Sequence, residues 1–340
     1  MYDYIIITHL PAFYKINLYN EVCKNKKIFL IFISSGSEER NKDFTNKEIN
    51  FEYAIINKGA FEKRNIFFSI FKVLKIIFNL KFKKIIVGGW DSLEFWIIIF
   101  LNKKLKNCLA LESTINETSK DKIKIIVKKL FLSKIDIIFA SGKNHIKLAK
   151  YLNFKGKIIK TFGVGIINKI NYKNQNKIFE KKFLCVARLV SEKNLENLIK
   201  IFNDIPSLNL TIIGSGPLEK KLKTIAKKNI QFISHVNNKE IYKYYLAHDV
   251  FILISNKEPW GLVIEEAMYF GLPVIVSNVV GCQDIINKKN GIFVDHMDNL
   301  KIKNAVLQLE KQDIYRKYKE NALKNILFLN EKDTRQINCY

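Results

Sequence analysis

Two carboxylates, Glu258 and Glu266, stand seven residues apart in the stretch NKEPWGLVIEEAMYFGLPVIVSN, with Trp260-Gly261-Leu262 between the first acid and a predicted helix. A strand-like run, DVFILIS from Asp249 to Ser255, feeds this stretch, and a second run from Pro273 to Ser277 follows it. One acid therefore lies on the loop where a strand hands over to a helix, and the other lies in that helix's second turn. In an open α/β sheet such loops sit at the carboxyl ends of the strands, where ligands bind. The helix that begins at Gly261-Leu262 offers amides without helical partners, which a sugar diphosphate would satisfy. Glu258 just ahead of it would accept hydrogen bonds from sugar hydroxyls, and Glu266 would hold a vicinal diol such as ribose with both oxygens. Consecutive helical positions diverge by about 100°, so Glu266 is assigned to the pocket and Glu265 to another face. Taken singly, Glu258 reads equally as an acid favoured by the helix dipole, and Glu266 as a solvated surface residue.

Cations for such a ligand occur upstream. FLCVAR (Phe183 to Arg188) reads as a strand and LVSEK (Leu189 to Lys193) as a loop that opens a helix from Asn194 to Phe202. Arg188 and Lys193 thus flank a strand-to-helix loop beside a helix N-terminus, a concavity suited to a diphosphate. Gly214 and Gly216, in TIIGSGP, keep a further strand-to-helix junction close-packed, but the Lys-Ser/Thr of a P-loop is missing. Glu112, followed by Ser113 and Thr114, ends another predicted strand and is a candidate on the same geometric ground; its ordinary alternative is to cap the next turn. Gly88-Gly89 reads as a turn, no G-x-G-x-x-G follows the first strand, and His9 and His145 stand alone. The five cysteines are scattered without metal-ligand or redox spacing, so free thiols and no metal are expected.

The elements that must position these residues alternate. Strands are predicted at Tyr4–Thr8, Ile28–Ser34, Phe51–Ile56, Lys84–Val87, Cys108–Leu111, Ile135–Ala140 and Lys157–Thr161, with helices between them, which argues for a doubly wound parallel sheet. The polar, aperiodic stretch 166–182 reads as a linker. The chain then divides into residues 1–165, a second α/β unit at 183–318, and a C-terminal helical segment at 319–340 that is expected to pack back on the first unit. At 340 residues the chain exceeds the size at which a single core usually keeps growing. The formal charge is +25, and it is uneven: residues 1–165 carry 30 Lys+Arg against 14 Asp+Glu, the remainder 27 against 18. Two predicted basic amphipathic helices, Arg64 to Lys84 and Lys120 to Lys134, fit either a sheet cover with lysines turned to water or a surface that meets an anionic membrane. MYDYIIITHL opens on a strand without a basic n-region or cleavage site, so no signal peptide is expected, and apolar runs such as Phe95 to Leu101 are too short to span a membrane. A cytoplasmic location follows as the expectation.

FLCVARLVSEKNLENLI, LTIIGSGPLEKKL and ISNKEPWGLVIEEAMYFGLPVIVSNVVGCQDIINKKNGIFV together resemble family 4 retaining glycosyltransferases (glycosyl transferases group 1) of the GT-B fold. The likeness covers about the whole second half, in order and with matching spacing. It implies two Rossmann-like domains facing a cleft and a UDP-sugar or GDP-sugar donor bound mainly by the second domain. It also implies catalysis without metal or cofactor. Its E-x7-E signature falls on Glu258, which would contact the donor sugar, and on Glu266, which would hold the ribose. The family's phosphate-binding cations fall on Arg188 and Lys193, and Trp260, Gly261 and Leu262 stand where backbone amides line the sugar and phosphate. HLPAFYKINLYNEV and ESTINE resemble the first domains of some members. There Lys15 replaces an Arg, Glu112 takes the place of a frequent His, and the glycine pair after the first strand is missing. Asp284 stands where a Glu is usual. The implied acceptor is a glycan or lipid-linked hydroxyl, as in lipopolysaccharide or capsule synthesis at the inner face of the cell membrane. A GT-B nucleotide-sugar epimerase is the alternative within enzymes. A basic nucleic-acid-binding protein is disfavoured, because the aromatics lie within apolar runs rather than interleaved with the lysines.

Overall fold

The computed structural model of the chain describes residues 1–39, 48–119, 121–166, 170, 172, 178–331 and 335–340. Two compact units emerge: Met1–Asn168 with Asp333–Tyr340, and Lys169–Lys332. Part of the expected linker (167–169, 171 and 173–177), part of the loop Gly36 to Lys47, and Lys120 lie outside the described residues.

The first unit is built on strands β1 (Tyr2–Thr8), β2 (Ile28–Gly36), β3 (Glu52–Ala60), β4 (Phe82–Val87), β5 (Asn107–Leu111), β6 (Ile137–Ala140) and β7 (Lys157–Lys160). They form one parallel sheet in the order β3-β2-β1-β4-β5-β6-β7. Helices α1 (Phe13–Val22), α2 (Ile66–Asn79), α3 (Leu93–Leu101), α4 (Lys122–Leu132) and α5 (Lys143–Tyr151) join the strands. The strands are continuous apolar runs because both sheet faces are covered. Ile5 and Ile7 point into a core shared with α2 to α5, and Ile6 into a second core shared with α1. The C-terminal residue Tyr340 closes that second core, with its ring 4.7 Å from Phe139 and stacked at 6.3 Å on Tyr19.

In the second unit β8 (Lys182–Val186), β9 (Asn209–Ile213), β10 (Ile230–Ile233), β11 (Val250–Leu253), β12 (Val274–Ser277) and β13 (Gly291–Val294) form a parallel sheet ordered β10-β9-β8-β11-β12-β13. Its helices are α6 (Leu195–Asn203), α7 (Glu219–Ile225), α8 (Ile241–Ala247), α9 (Leu262–Tyr269), α10 (Asn299–Gln308) and α11 (Gln312–Glu331). The expected boundary at residue 318 falls inside α11, a single 20-residue helix. A last short helix, α12 (Gln336–Cys339), belongs to the first unit and packs by α1. Each sheet winds outward from its first strand and then reverses, so a crevice opens between β1 and β4 and another between β8 and β11.

Two readings of the basic helices change. The helix predicted over Arg64 to Lys84 stops at Asn79, because Phe82 onward extends into β4, and Arg64 does not face water. Its guanidinium grips Glu94, with Nε 2.7 Å from Oε1 and Nη2 3.1 Å from Oε2, and Ser92 donates to the same carboxylate. Glu94 is fully buried and the Arg64 side chain nearly so. Removing one partner of such a pair strands the other charge out of water. Glu94→Ala is expected to lower unfolding stability by about 3–5 kcal/mol, measured by urea denaturation; a loss below the error of that measurement would show that water reaches Arg64.

Candidate active site at the second crevice

The loops after β8 and β11 meet at the crevice of the second sheet, and their backbones fix the meeting. Asn256 N–H donates to the Glu192 carbonyl at 2.8 Å, Lys257 N–H to the same oxygen at 3.3 Å, and Asn256 Nδ2 to the Ser191 carbonyl at 3.3 Å. Lys193 closes a 3-10 turn (Ser191–Lys193), and Asn194 follows in the left-handed region at φ 54°. That turn aims Lys193 across the crevice, where its Nζ lies 2.7 Å from Glu258 Oε2. Both side chains are largely buried, at 16% and 11% exposure. Arg188 stands exposed two residues beyond the end of β8. The Glu192 carboxyl between the two cations is held below its usual range by hydrogen bonds from its own backbone and Ser191, with Arg188 and Lys257 adding to them.

Glu258 is held on its other side as well. Gly281 N–H donates to the Glu258 carbonyl at 2.9 Å and Cys282 N–H to the Trp260 carbonyl at 3.0 Å. A Cβ on Gly281 would fall 1.7 Å from the Pro259 carbonyl oxygen, so only glycine lets the two loops approach this closely. Gly214 has the same kind of role beneath β8: its φ is 146° and a Cβ would meet the Ala187 carbonyl oxygen at 1.9 Å. Its placement is thus explained by backbone approach next to the Arg188 loop. Gly261 adopts a left-handed conformation as the residue before α9, and among the described residues no side chain of that position caps the amides of the helix's first turn. Leu262 begins the helix, so its amide faces the loop that carries Glu258.

The adjacent acids on α9 part company. Glu266 is partly buried, and the Tyr245 hydroxyl donates to its Oε2 at 2.9 Å, so one of the two oxygens expected to hold a diol already carries a partner. Burial pushes the Glu266 carboxyl up to about 7 against the lowering effect of the Tyr245 hydrogen bond, and the Glu265 charge adds to the rise. Glu265 does face elsewhere, but inward: it is fully buried and accepts a hydrogen bond from Trp260 Nε1. Sequence spacing separated these two faces and missed that the second one holds the loop. The local signal for it was present, an indole donor five residues before an acid on an otherwise apolar turn.

Glu112 lies in the first unit, exposed at the end of β5, with Oε1 2.8 Å from Lys15 Nζ. Lys15 is nearly buried and also donates to Thr8 Oγ1 at 2.9 Å. Burial alone would lower the Lys15 ammonium, but Glu112 and Tyr14 outweigh it and hold it above the ordinary lysine range. With Tyr14, Tyr19, Gly88 and Gln336 this pair lines a small cavity at the first sheet's own crevice. His9 meets Asp91 at 3.0 Å beside it, and His145 is buried in α5. All five cysteines are free, and among the described residues no group of His, Cys, Asp and Glu is arranged to hold a metal ion.

If Glu265 holds the loop, Glu265→Ala should loosen Trp260 while leaving β11 and α9 in place. The expected outcome is a stability loss of about 1–3 kcal/mol with a red-shifted Trp260 emission, read against Trp90 and Trp96 in a Trp260→Phe control; unchanged emission would overturn the anchoring role.

Comparison with known proteins gives one consistent result. Residues 168–325 match the family model of glycosyl transferases group 1. An uncharacterized glycosyltransferase of Haemophilus influenzae is 26% identical over 298 residues, covering 84% of this chain and 82% of that protein. The O-antigen biosynthesis glycosyltransferase WbnH of Escherichia coli is 27% identical over 323 residues, covering 91% and 87%. Among solved structures, the sucrose-phosphate synthase of Thermosynechococcus elongatus superposes with a TM-score of 0.74 at 17% identity, over 96% of this chain and 94% of that one. Anabaena HepE in complex with UDP and glucose gives a TM-score of 0.72 at 13% identity, over 97% of both chains. The two all-parallel α/β units thus have the GT-B fold of these neighbours, and residues 168–325, most of the second unit, match glycosyl transferases group 1.

Proposed function

We propose that the protein is a retaining glycosyltransferase that moves a sugar from a nucleoside diphosphate sugar, of the UDP or GDP type, to an acceptor hydroxyl. The observation that carries this reading is the Lys193–Glu258 pair, partly buried beside the uncapped first turn of α9. A donor at that helix end would lay its diphosphate against the α9 amides, Arg188 and Lys193. Glu258 would then take the sugar hydroxyls and Glu266 the ribose. Negative charge develops on the leaving diphosphate in the transition state, and fixed cations and amides there stabilise it more than the ground state. In this reading the acceptor attacks from the side the diphosphate leaves, the leaving phosphate takes the acceptor proton, and neither metal nor cofactor takes part. Glu112, with Lys15 behind it, is assigned to the acceptor side. The likeness to HepE, whose structure holds UDP and glucose, supports the donor class. The O-antigen relative supports a surface glycan, such as lipopolysaccharide or capsule, made on the cytoplasmic side of the cell membrane.

A thermal-shift screen of nucleoside diphosphates and their sugars tests this directly. A donor at 100 times its Kd should stabilise the protein by about 2.7 kcal/mol. Arg188→Ala should lower transfer by about 10²–10³-fold with the unliganded melting temperature unchanged. No shift with any nucleotide, or wild-type turnover in the Arg188 variant, would remove the assignment.

Glu266 supplies a second test. The folded protein keeps a proton on this group up to about pH 7, whereas an ordinary glutamate carboxyl releases it near 4.5. Its contribution to stability therefore declines as pH rises through that window. A ribose diol donates to the ionised carboxylate, so nucleotide binding should expel the proton. Binding should strengthen from pH 6 to pH 8 and its heat should vary with buffer ionisation enthalpy. Glu266→Gln should bind more weakly and lose both dependences; if it keeps them, the proton belongs to another group.

A further inference from the structure

The face of the first unit formed by α2, α3 and α4 carries more apolar surface than its own core needs. In α2, Ser69, Val73 and Ile77 turn inward, yet the opposite side holds Phe67, Phe71, Lys75 and Phe78, with Phe67 86% and Phe78 73% exposed. In α4, Phe131 and Leu132 are buried, while Ile123, Ile126, Val127 and Leu130 form an outward stripe, with Ile123 72% exposed. Between them α3 turns Leu93, Ile97, Phe100 and Leu101 to solvent. The three helices are neighbours on one sheet face: α2 packs on α3, and Trp96 of α3 meets Phe131 of α4 with ring centroids 4.9 Å apart. An ordinary sheet-covering helix has one apolar stripe and a polar back; these three have two apolar sides.

The Ile- and Lys-rich composition does not account for this. Helix α6, drawn from the same Ile- and Lys-rich chain, buries Leu195, Leu198, Ile199, Ile201 and Phe202 and leaves Glu196 and Lys200 toward solvent. The polar residues of the outward face are of one sign. Lys72, Lys75, Lys122, Lys124, Lys128 and Lys129 lie on α2 and α4, which contain no Asp or Glu at all. Lys72 lies over the Phe68 ring at 4.2 Å, Lys128 over Trp90 at 4.9 Å and Lys134 over Phe100 at 5.5 Å, so three lysine ammonium groups sit beside rings of these helices and their flanks. Among the described residues no helix is long and apolar enough to cross a membrane.

We infer that this face is a peripheral docking surface for an anionic lipid bilayer, with the apolar stripes entering the interface and the lysines meeting lipid phosphates. Charge selects the occupant. A second copy of the chain would set two lysine-rich faces against each other, whereas an anionic bilayer offsets both the lysines and the wider surplus of positive charge in residues 1–165. Apolar side chains at the interface and cations at the headgroups are the two contributions that hold amphipathic surface helices. The inference goes beyond the transferase reading and does not depend on it.

Vesicle flotation of the full chain tests it. Wild type should float with phosphatidylglycerol/phosphatidylcholine vesicles and far less with phosphatidylcholine alone. Replacing Phe67, Phe71, Ile126 and Leu130 together by Ser should lower partitioning by about tenfold or more. Replacing Lys75, Lys122, Lys124 and Lys129 by Gln should lower it by roughly fivefold per lysine at low salt. All eight positions are exposed, so the melting temperature should hold. Three outcomes would overturn the proposal: wild type that does not float with anionic vesicles at low salt, Ser-variant flotation equal to wild type, or a wild-type dimer that the Ser variant converts to monomer without any vesicle binding. Nucleotide-induced thermal shifts run on wild type and the Ser variant separate this result from the transferase reading, because they report only the second unit.

Discussion

The second unit depends on two backbone loops being held side by side at the reversal point of a parallel sheet. Because β8 and β11 are neighbours although three helices and two strands separate them in sequence, the loops after them leave the sheet together. The amides of Asn256 and Lys257 on the Glu192 carbonyl then set the separation. Lys193 and Glu258 reach each other as a consequence. Desolvating an ion pair costs about as much as its attraction returns, so this pair adds little to fold stability and instead fixes where the Glu258 carboxylate points. The remaining features of the site maintain that arrangement: glycines at 214 and 281 where a Cβ would strike a carbonyl oxygen, and the Trp260–Glu265 hydrogen bond from below.

Much of this frame was legible in the sequence. Parallel strands covered on both faces are unbroken apolar runs, and runs such as YIIIT and DVFILIS are found as β1 and β11. The two acids were legible through their spacing about a Trp-Gly-Leu turn. Pairings between distant residues were not. Nothing local says that Arg64 belongs to Glu94 rather than to water, because a basic residue before an amphipathic helix looks the same in both cases. The outward stripes of α2 and α4 were hidden for a related reason. When Ile and Phe occupy so many helical positions, a buried face and an exposed one give the same pattern, and only burial separates them. The C-terminal residues are a third case: a tyrosine at the end of a chain carries no periodicity, yet Tyr340 completes the core around α1.

The two units share an architecture and differ in what they show to solvent. At the first crevice the buried cation Lys15 is neutralised by Glu112, and the wide apolar and basic surface lies on the far helices of that sheet face. The second unit keeps its large apolar residues inside except for scattered ones such as Leu246, Phe293 and Met297. Exposed apolar surface is thus concentrated on one sheet face of the first unit.

The adjacent acids on α9 show how one helix serves both the scaffold and the ligand. About 100° separates Glu265 from Glu266, enough to send one under the loop and the other to the Tyr245 hydroxyl. Glu265 receives the Trp260 indole and so has a donor within the protein. Glu266 receives the Tyr245 hydroxyl, which does not offset its burial, and its proton affinity rises. A buried carboxyl whose donors do not offset its desolvation is stabilised in its charged form when further donors arrive. A diol supplies two, in the geometry a carboxylate accepts. The raised pKa of Glu266 expresses that deficit, which the ribose of the proposed donor would relieve.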